Sequence, residues 1–236
     1  MLVEIWSDVV CPWCYVGKRR FEKALERFEH AEAVEVRWRS FELDPRAPFR
    51  RTGDMVGHLA AKYGLSHDQA LRQVGHMDTM AAAEGIDMDL AATQPGNTFA
   101  AHRLIHFAYD NDAPTGAALK EALLHAYFVE RVAISEPDEL VKVAVSVGLD
   151  AGEAAELLEG DRFTAQVRAD EQVASELGAT GVPFFVFDRS FAVPGAQDPD
   201  TLLAVLRRAW QKSHPDIEVI GGAAGVCDGD SCDVAV

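Results

Sequence analysis

Cysteine is scarce in this chain, with 4 among 236 residues, too few for a disulfide-stapled scaffold. Long apolar runs are missing as well. No stretch approaches the roughly eighteen residues a membrane span requires, so a spanning helix is not expected. Basic residues are in short supply: Lys and Arg total 22 against 38 Asp and Glu, a formal net charge of -16. A field of that sign repels nucleic-acid phosphates and anionic lipid, so neither nucleic acid nor a membrane surface is an expected partner. After Met1, the segment Leu2-Val3-Glu4-Ile5-Trp6 has no basic stretch leading into an apolar one, as a secretory leader would, and the expected compartment is the cytoplasm. Apolar surface, by contrast, is plentiful. Hydrophobic residues make up 48% and charged residues 25%, the balance of a folded globular chain. The length suits one domain with an insertion, or two small ones.

The four cysteines form two close pairs, Cys11/Cys14 and Cys227/Cys232. The first follows a short apolar run, residues 2–6, that reads as a buried strand. From Tyr15 the pattern is helical, with Phe21, Leu25 and Phe28 at helical spacing and Lys18, Glu22 and Glu26 between them. Pro12 falls in the first turn, where its missing N–H is no loss. Val34, Val36, Trp38 and Ser40 then alternate with Glu35, Arg37 and Arg39, a second strand. The opening is therefore strand–helix–strand, with Cys11-Pro12-Trp13-Cys14 at the strand-to-helix junction.

Residues 53–178 read as mostly helical. Helices are expected at 54–63, 67–84, 97–110, 115–130, 137–147, 150–158 and 160–177. Gly64, Gly85, Pro95-Gly96, Pro114, Glu136-Pro137 and Gly148 break them, and Ser66 and Ser135 are candidate N-caps. After Gly178 the character changes. Gly181-Val182-Pro183 leads into Phe184-Phe185-Val186-Phe187, Asp188-Arg189-Ser190 turns the chain, and residues 191–194 return as a second strand. Asp198-Pro199 opens a last helix bearing Leu202, Leu203, Leu206 and Trp210. The expected fold class is α/β, a βαβ plus ββα frame with a large all-helical insertion between the second and third strands. Residues 1–50 and 179–214 form the frame, 51–178 the insertion, and 215–236 a glycine-rich tail with the second cysteine pair.

A cysteine at a helix N-terminus feels the positive end of the helix dipole, which favours thiolate over thiol. Cys11, the first and more exposed member, is the expected nucleophile. Cys14, one turn further in, is expected to attack the resulting mixed disulfide. Structural zinc is the competing reading of Cys-Pro-x-Cys, with Cys227/Cys232 as the other half-site. The long amphipathic helix behind the motif and the four-residue spacing of the second pair argue against it, so no metal is expected. Pro183, at the head of a buried strand after Gly181-Val182, is a candidate cis proline. Beside Cys11 it would leave the Val182 backbone open to an extended substrate segment.

On these pieces the chain resembles the DsbA-like branch of the thioredoxin superfamily. It is most similar to the FrnE type of cytoplasmic dithiol oxidoreductase. The resemblance rests on Ser7-Asp8-Val9-Val10-Cys11-Pro12-Trp13-Cys14, the helical insertion, Thr180-Gly181-Val182-Pro183-Phe184-Phe185-Val186 and the late Cys227/Cys232 pair, and it spans nearly the whole chain. It implies Cys11 as nucleophile, Cys14 as resolving thiol and Pro183 as the cis proline beside them. The implied activity is exchange of protein disulfides, with thiol- or disulfide-bearing proteins as partners and no required cofactor. A sister group, the glutathione-dependent 2-hydroxychromene-2-carboxylate isomerases and kappa-class glutathione transferases, carries serine at the first cysteine position. Its activity is the runner-up, with glutathione as co-substrate, because Asn97-Thr98-Phe99-Ala100-Ala101-His102-Arg103 resembles a segment near the active site across this branch. Periplasmic DsbA types place a histidine between the cysteines. Pro12-Trp13 cannot supply that charge, so a milder oxidant is expected.

The remaining candidates are weaker. Cys227 and Cys232 flank Asp228 and Asp230, whose charges raise thiol pKa values, so this pair is expected to shuttle with Cys11/Cys14 or to staple the tail rather than attack first. Asp8 is either a proton acceptor for Cys14 or a turn residue. Trp6 and Trp13 either stack on substrate or cover the thiols. His102 and His106 share a helix face but lack a third metal ligand. Met55, Met77, Met80 and Met88 are read as core filling, with an adaptable groove as the alternative. A monomer and a homodimer are both compatible with the sequence.

Overall fold

The computed structural model describes residues 1–50 and 52–215. Cys227, Cys232 and the tail from residue 216 lie outside them.

The frame follows the sequence pattern. Strand β1 (Leu2–Ser7) leads into helix α1 (Pro12–Glu26) and strand β2 (Glu35–Ser40). Six helices come next: α2 (Met55–Tyr63), α3 (His67–Ala83), α4 (Phe99–Asn111), α5 (Ala113–Phe128), α6 (Pro137–Ser146) and α7 (Ala151–Glu159). Helix α8 (Thr164–Glu176), strands β3 (Phe184–Phe187) and β4 (Phe191–Pro194), and helix α9 (Pro199–Ser213) complete the described chain. The sheet order is β2-β1-β3-β4. β1 pairs in parallel with β2 and antiparallel with β3, and β3 forms a hairpin with β4. A three-residue loop at 188–190 turns that hairpin. The Ser190 N–H donates to the Phe187 carbonyl at 2.9 Å, and φ is positive at Asp188 and Arg189, 44° and 50°, the turn handedness that matches the twist of the strands.

Alternation along the strands sorts the core into two layers. Val3, Ile5, Phe185 and Phe187 join the main core with α1 and α9, where the Phe21 ring packs 5.7 Å from Phe185. Trp6, Phe184 and Val186 face the other way and pack with Ala174 of α8. Glu4 shares that second face and is 1% exposed. It survives burial because Arg39 and Arg189 both donate to it.

The insertion closes the β2 edge. An edge strand presents unpaired amides every second residue. Here the Trp38 N–H donates to the Tyr109 hydroxyl of α4 at 3.1 Å, and the Ser40 N–H to Asp170 Oδ2 of α8 at 2.9 Å. Gly116 makes this possible: a Cβ there would lie 2.4 Å from the Tyr109 ring.

Three expectations are corrected. Pro114 does not separate helices; it sits in the first turn of α5 behind the Asp112 cap, where proline is tolerated. Ser135 is not an N-cap. It is buried, and Glu136 takes the cap position ahead of Pro137. The helix expected at 160–177 begins only at Thr164, because Phe163 adopts a left-handed conformation before it. Ser66 does cap α3, in a reciprocal box with Gln69.

Candidate active site

Cys11 is the N-cap residue of α1, with extended backbone, and Pro12 occupies the first turn. Cys14 is one turn on and fully buried, while Cys11 is 4% exposed. Both are free thiols. The Val182–Pro183 peptide is cis, as expected, and brings the Val182 carbonyl to the site, where Cys11 Sγ lies 3.6 Å from it and donates to it. Gly17 permits this close approach of α1 to the loop, since a Cβ there would lie 2.9 Å from Pro183 Cγ. Nothing in the local sequence pattern marks Gly17 beyond a glycine inside a helix.

Beneath the thiols lies a buried ionic group. Asp8 is fully buried, accepts the Leu43 N–H at 2.8 Å and pairs with His102 Nε2 at 3.2 Å. Burial opposes its ionisation, but the His102 hydrogen bond and charge, the Leu43 amide and the Lys120 ammonium hold the carboxyl below its usual range. Lys120 of α5 is 1% exposed; its Nζ donates to the Ser7 carbonyl at 3.2 Å and stands 5.8 Å from the Trp38 ring centre. Burial brings the Lys120 pKa down to about 8, against the attraction of Cys14, Asp8 and Cys11.

The two thiols share a hydrogen bond, and their surroundings act on them in opposite directions. The hydrogen bond to Cys14, burial and the neighbouring negative charges push Cys11 well up. Burial also works against the Cys14 thiolate, but the Cys11 hydrogen bond, the Lys120 charge, the Ser7 hydroxyl and the Asp8 backbone amide bring Cys14 below the usual thiol value. The buried Lys120 cation thus favours the charged form of the inner thiol, and the shared hydrogen bond links the ionisation of the two sulfurs.

Cys11 opens onto a cavity of about 870 Å³ walled by the frame and by α2 and α3. Its apolar lining includes Met55, Leu59, Val74 and Met77, and its basic lining includes Lys62 and Arg72. Trp13, 40% exposed, and Leu43, 39% exposed, stand at its edge.

A family model for the DSBA-like thioredoxin domain matches residues 2–207. The chain belongs to this family. A probable DsbA oxidoreductase from Streptomyces coelicolor is 42% identical, with a TM-score of 0.86, over 100% of this chain and 99% of that one. The uncharacterized protein YwbO of Bacillus subtilis (strain 168) is 30% identical over 200 residues, 84% of this chain and 92% of YwbO. A 2-hydroxychromene-2-carboxylate isomerase shares the fold at 16% identity and a TM-score of 0.65, over 90% of this chain and 98% of that one.

In this DSBA-like domain the predicted site residues divide. Cys11, Trp13, Asp8, Thr98 and Val182 all line the cavity, and Cys14 and Pro183 sit directly behind it. Thr98 is the buried N-cap residue of α4. Asn97 instead braces the loop, donating to the Ala47 carbonyl at 3.3 Å and accepting the Phe99 N–H at 2.9 Å. Trp6 serves the core, its Nε1 donating to the Asp170 carbonyl at 2.7 Å. His102 and His106 part company: His106 Nε2 reaches Ser40 Oγ and Asp170 Oδ2, both at 3.1 Å. Met55 and Met77 line the cavity, whereas Met80 and Met88 pack in the core. Among the described residues no group of three or more His, Cys, Asp or Glu could hold a metal ion, and no helix is long and apolar enough to cross a membrane. The residue that sequence reasoning missed is Lys120. Its signal was present: positions 116, 120, 123, 124 and 127 share one face of α5, and that face is otherwise apolar.

Proposed function

We propose that this protein is a thiol–disulfide oxidoreductase of the cytoplasm acting on protein disulfides through Cys11 and Cys14. The observation that carries the reading is the pair of reduced sulfurs at the α1 N-terminus, with the outer one 3.6 Å from the Val182 carbonyl and open to the cavity.

In the reductive direction, Cys11 loses its proton and, as the thiolate, attacks one sulfur of the substrate disulfide. The other substrate sulfur leaves as a thiolate and takes up a proton. Cys14, which supplies that proton, then attacks Cys11 Sγ as the thiolate, closing the Cys11–Cys14 disulfide and releasing the second substrate thiolate. Two electrons move from the cysteine pair to the substrate, and the oxidative direction is the reverse. The Val182 backbone holds the substrate as an extended segment, with Trp13 against its side chains. The apolar cavity wall takes bulky side chains, and Lys62 and Arg72 favour acidic ones. Cys227/Cys232 is proposed as a second pair that exchanges with the first.

The test is reduction of insulin by wild type, Cys11→Ser and Cys14→Ser, with dithiothreitol or glutathione as reductant. Wild type should be active. Cys11→Ser should be inactive, and Cys14→Ser should accumulate a mixed disulfide. A Cys14→Ser variant with full glutathione-dependent activity would favour the isomerase or transferase reading instead. One tightly held zinc per chain would favour the structural-zinc reading, a zinc-stabilised interaction module.

A further inference from the structure

Helices α2 and α3 wall the cavity with two faces of the same design. Positions 55, 58, 59, 62 and 63 of α2 line it, and so do positions 69, 72, 73, 76 and 77 of α3, in each case the spacing of a single helical face. Met55 and Met77 lie buried at the floor, while Lys62 and Arg72 stand exposed at the rim. We propose, on the oxidoreductase reading and for that same site, that Lys62 and Arg72 are specificity-determining residues that select acidic polypeptide. The substrate is a disulfide-bearing segment with an apolar side chain for the floor and a carboxylate, about three residues away, for the rim.

Charge carries it. The chain has 38 acidic residues among 236, yet neither α2 nor α3 turns a carboxylate to the cavity. Asp68 and Asp78 of α3 fall on its other faces, where Asp78 accepts the Leu90 N–H at 3.0 Å. Elsewhere the surplus of carboxylates takes up cations: Arg20 and Lys23 share Glu84, Arg39 and Arg189 share Glu4, and Arg207 meets Glu29. Lys62 and Arg72 are exceptions. Among the described residues neither has an ion pair, and Lys62 meets only the Tyr63 ring, 5.6 Å from its centre. Two carboxylates reach the cavity from the frame side, and both are engaged. Asp8 is held by His102 and the Leu43 amide, and Asp44 accepts the Arg46 N–H at 3.2 Å. Lys62 follows Met55 by two helical turns, about 10 Å along the axis, a distance that an extended chain covers in about three residues. A small hydrophilic anion such as glutathione disulfide would meet the cations and leave the methionine floor wet. A neutral apolar segment would fill the floor and leave the cations unanswered. An acidic segment with an apolar residue satisfies both, and exposed Trp13 and Leu43 continue the apolar surface past the cavity edge, as a chain longer than the cavity needs. Exposed rim charges act mainly on encounter, so the selection belongs to kcat/KM and fades with salt.

The experiment uses the full chain and synthetic peptides closed by one internal disulfide. Each has a leucine beside one cysteine and aspartate, asparagine or lysine about three residues further on. With dithiothreitol as reductant at low salt, wild type should reduce the aspartate peptide about tenfold better in kcat/KM than the lysine peptide, with the asparagine peptide between them. Lys62→Gln/Arg72→Gln should bring that ratio toward unity. Arg208→Gln/Lys212→Gln, which removes the same charge from α9 beside Phe191, should keep it. Salt at about 0.5 M should erase it in wild type. Equal rates for the three peptides overturn the proposal, and so does a ratio that survives Lys62→Gln/Arg72→Gln. Glutathione disulfide reduced faster than every peptide, with that advantage lost in Lys62→Gln/Arg72→Gln, overturns it in favour of a small anion. If that variant does not fold, the wild-type ratio at high salt decides, and a ratio that persists there overturns the proposal as well. Wild-type insulin reduction, and fluorescence anisotropy of labelled peptides on Cys11→Ser, are run alongside. No insulin reduction, with the aspartate preference kept in anisotropy, sinks only the oxidoreductase reading. Insulin reduction without the preference sinks only the role of Lys62 and Arg72.

Discussion

Glu42 lies just past β2, with its side chain fully buried. Its Oε1 has no hydrogen-bond partner, and its other oxygen meets the Arg168 guanidinium. Burial pushes its carboxyl up to about 7 against the pull of Arg168, and the Glu171 carboxylate adds to the rise. In the unfolded chain the same group titrates near 4.5. Between these values the folded protein holds a proton that the unfolded chain has released. The associated stability is fully present below about pH 4.5 and is lost as pH rises through 7. Moving a carboxyl over that range corresponds to roughly 3 kcal/mol. Arg168 is 46% exposed, so solvent screens the local field and about 2 kcal/mol is the working expectation. Glu42→Gln fixes the neutral form and leaves Arg168 its bond to Glu171 at 2.6 Å. Urea midpoints at pH 5 and pH 8 for both proteins isolate the effect, since every other titrating group is common to them. Wild type should lose about 2 kcal/mol relative to Glu42→Gln over that interval. Parallel pH profiles would refute the argument.

Three further outcomes are expected. Gly116→Ala places a methyl 2.4 Å from the Tyr109 ring and should destabilise by about 2–3 kcal/mol through overpacking and loss of the Trp38 bond; an unchanged thermal midpoint would contradict this packing. Tyr109→Phe keeps the ring under Arg37, 3.7 Å from its centre, but strips the Trp38 amide of its acceptor, costing about 1–3 kcal/mol in chemical denaturation. Glu4→Leu removes the acceptor shared by Arg39, 25% exposed, and Arg189, 49% exposed, and should cost about 1–3 kcal/mol through the lost charge-assisted bonds. A Glu4→Leu protein as stable as wild type would show that the two arginines find water instead.

The frame was legible in the sequence because its signals are short-range. Alternation in residues 34–40, the helical spacing of Phe21, Leu25 and Phe28, and the turn at Asp188-Arg189 each sit within a window of a few residues. The Ser66 box with Gln69 was legible for the same reason. Chemistry that depends on partners far along the chain was not. Lys120 meets Ser7 across 113 positions, Asp170 meets Ser40 across 130, and Glu4 meets Arg189 across 185. The electrostatics of the thiols show the same limit. The helix N-terminus behind Cys11 is a local feature, while the Lys120 cation that favours the charged form of Cys14 arrives from α5. At Ser135 the local preference for serine caps yielded to Pro137, which makes Glu136 the cap residue.

The insertion also limits where the sheet can recruit further backbone. A four-stranded sheet has two edges, and either could in principle recruit another strand. At β2 the outward amides of Trp38 and Ser40 are already taken by Tyr109 and Asp170. At the far edge, β4 is four residues long and ends in Pro194, which has no amide to donate. Backbone pairing is therefore discouraged at both edges. The loop at Val182, ahead of β3 and beside Cys11, is where main chain faces the cavity next to the reactive sulfur. Helix α4, which blunts the β2 edge through Tyr109, also carries His102 and Thr98 to the site, and its neighbour α5 carries Lys120, so edge protection and the electrostatics of the thiols share one structural cause.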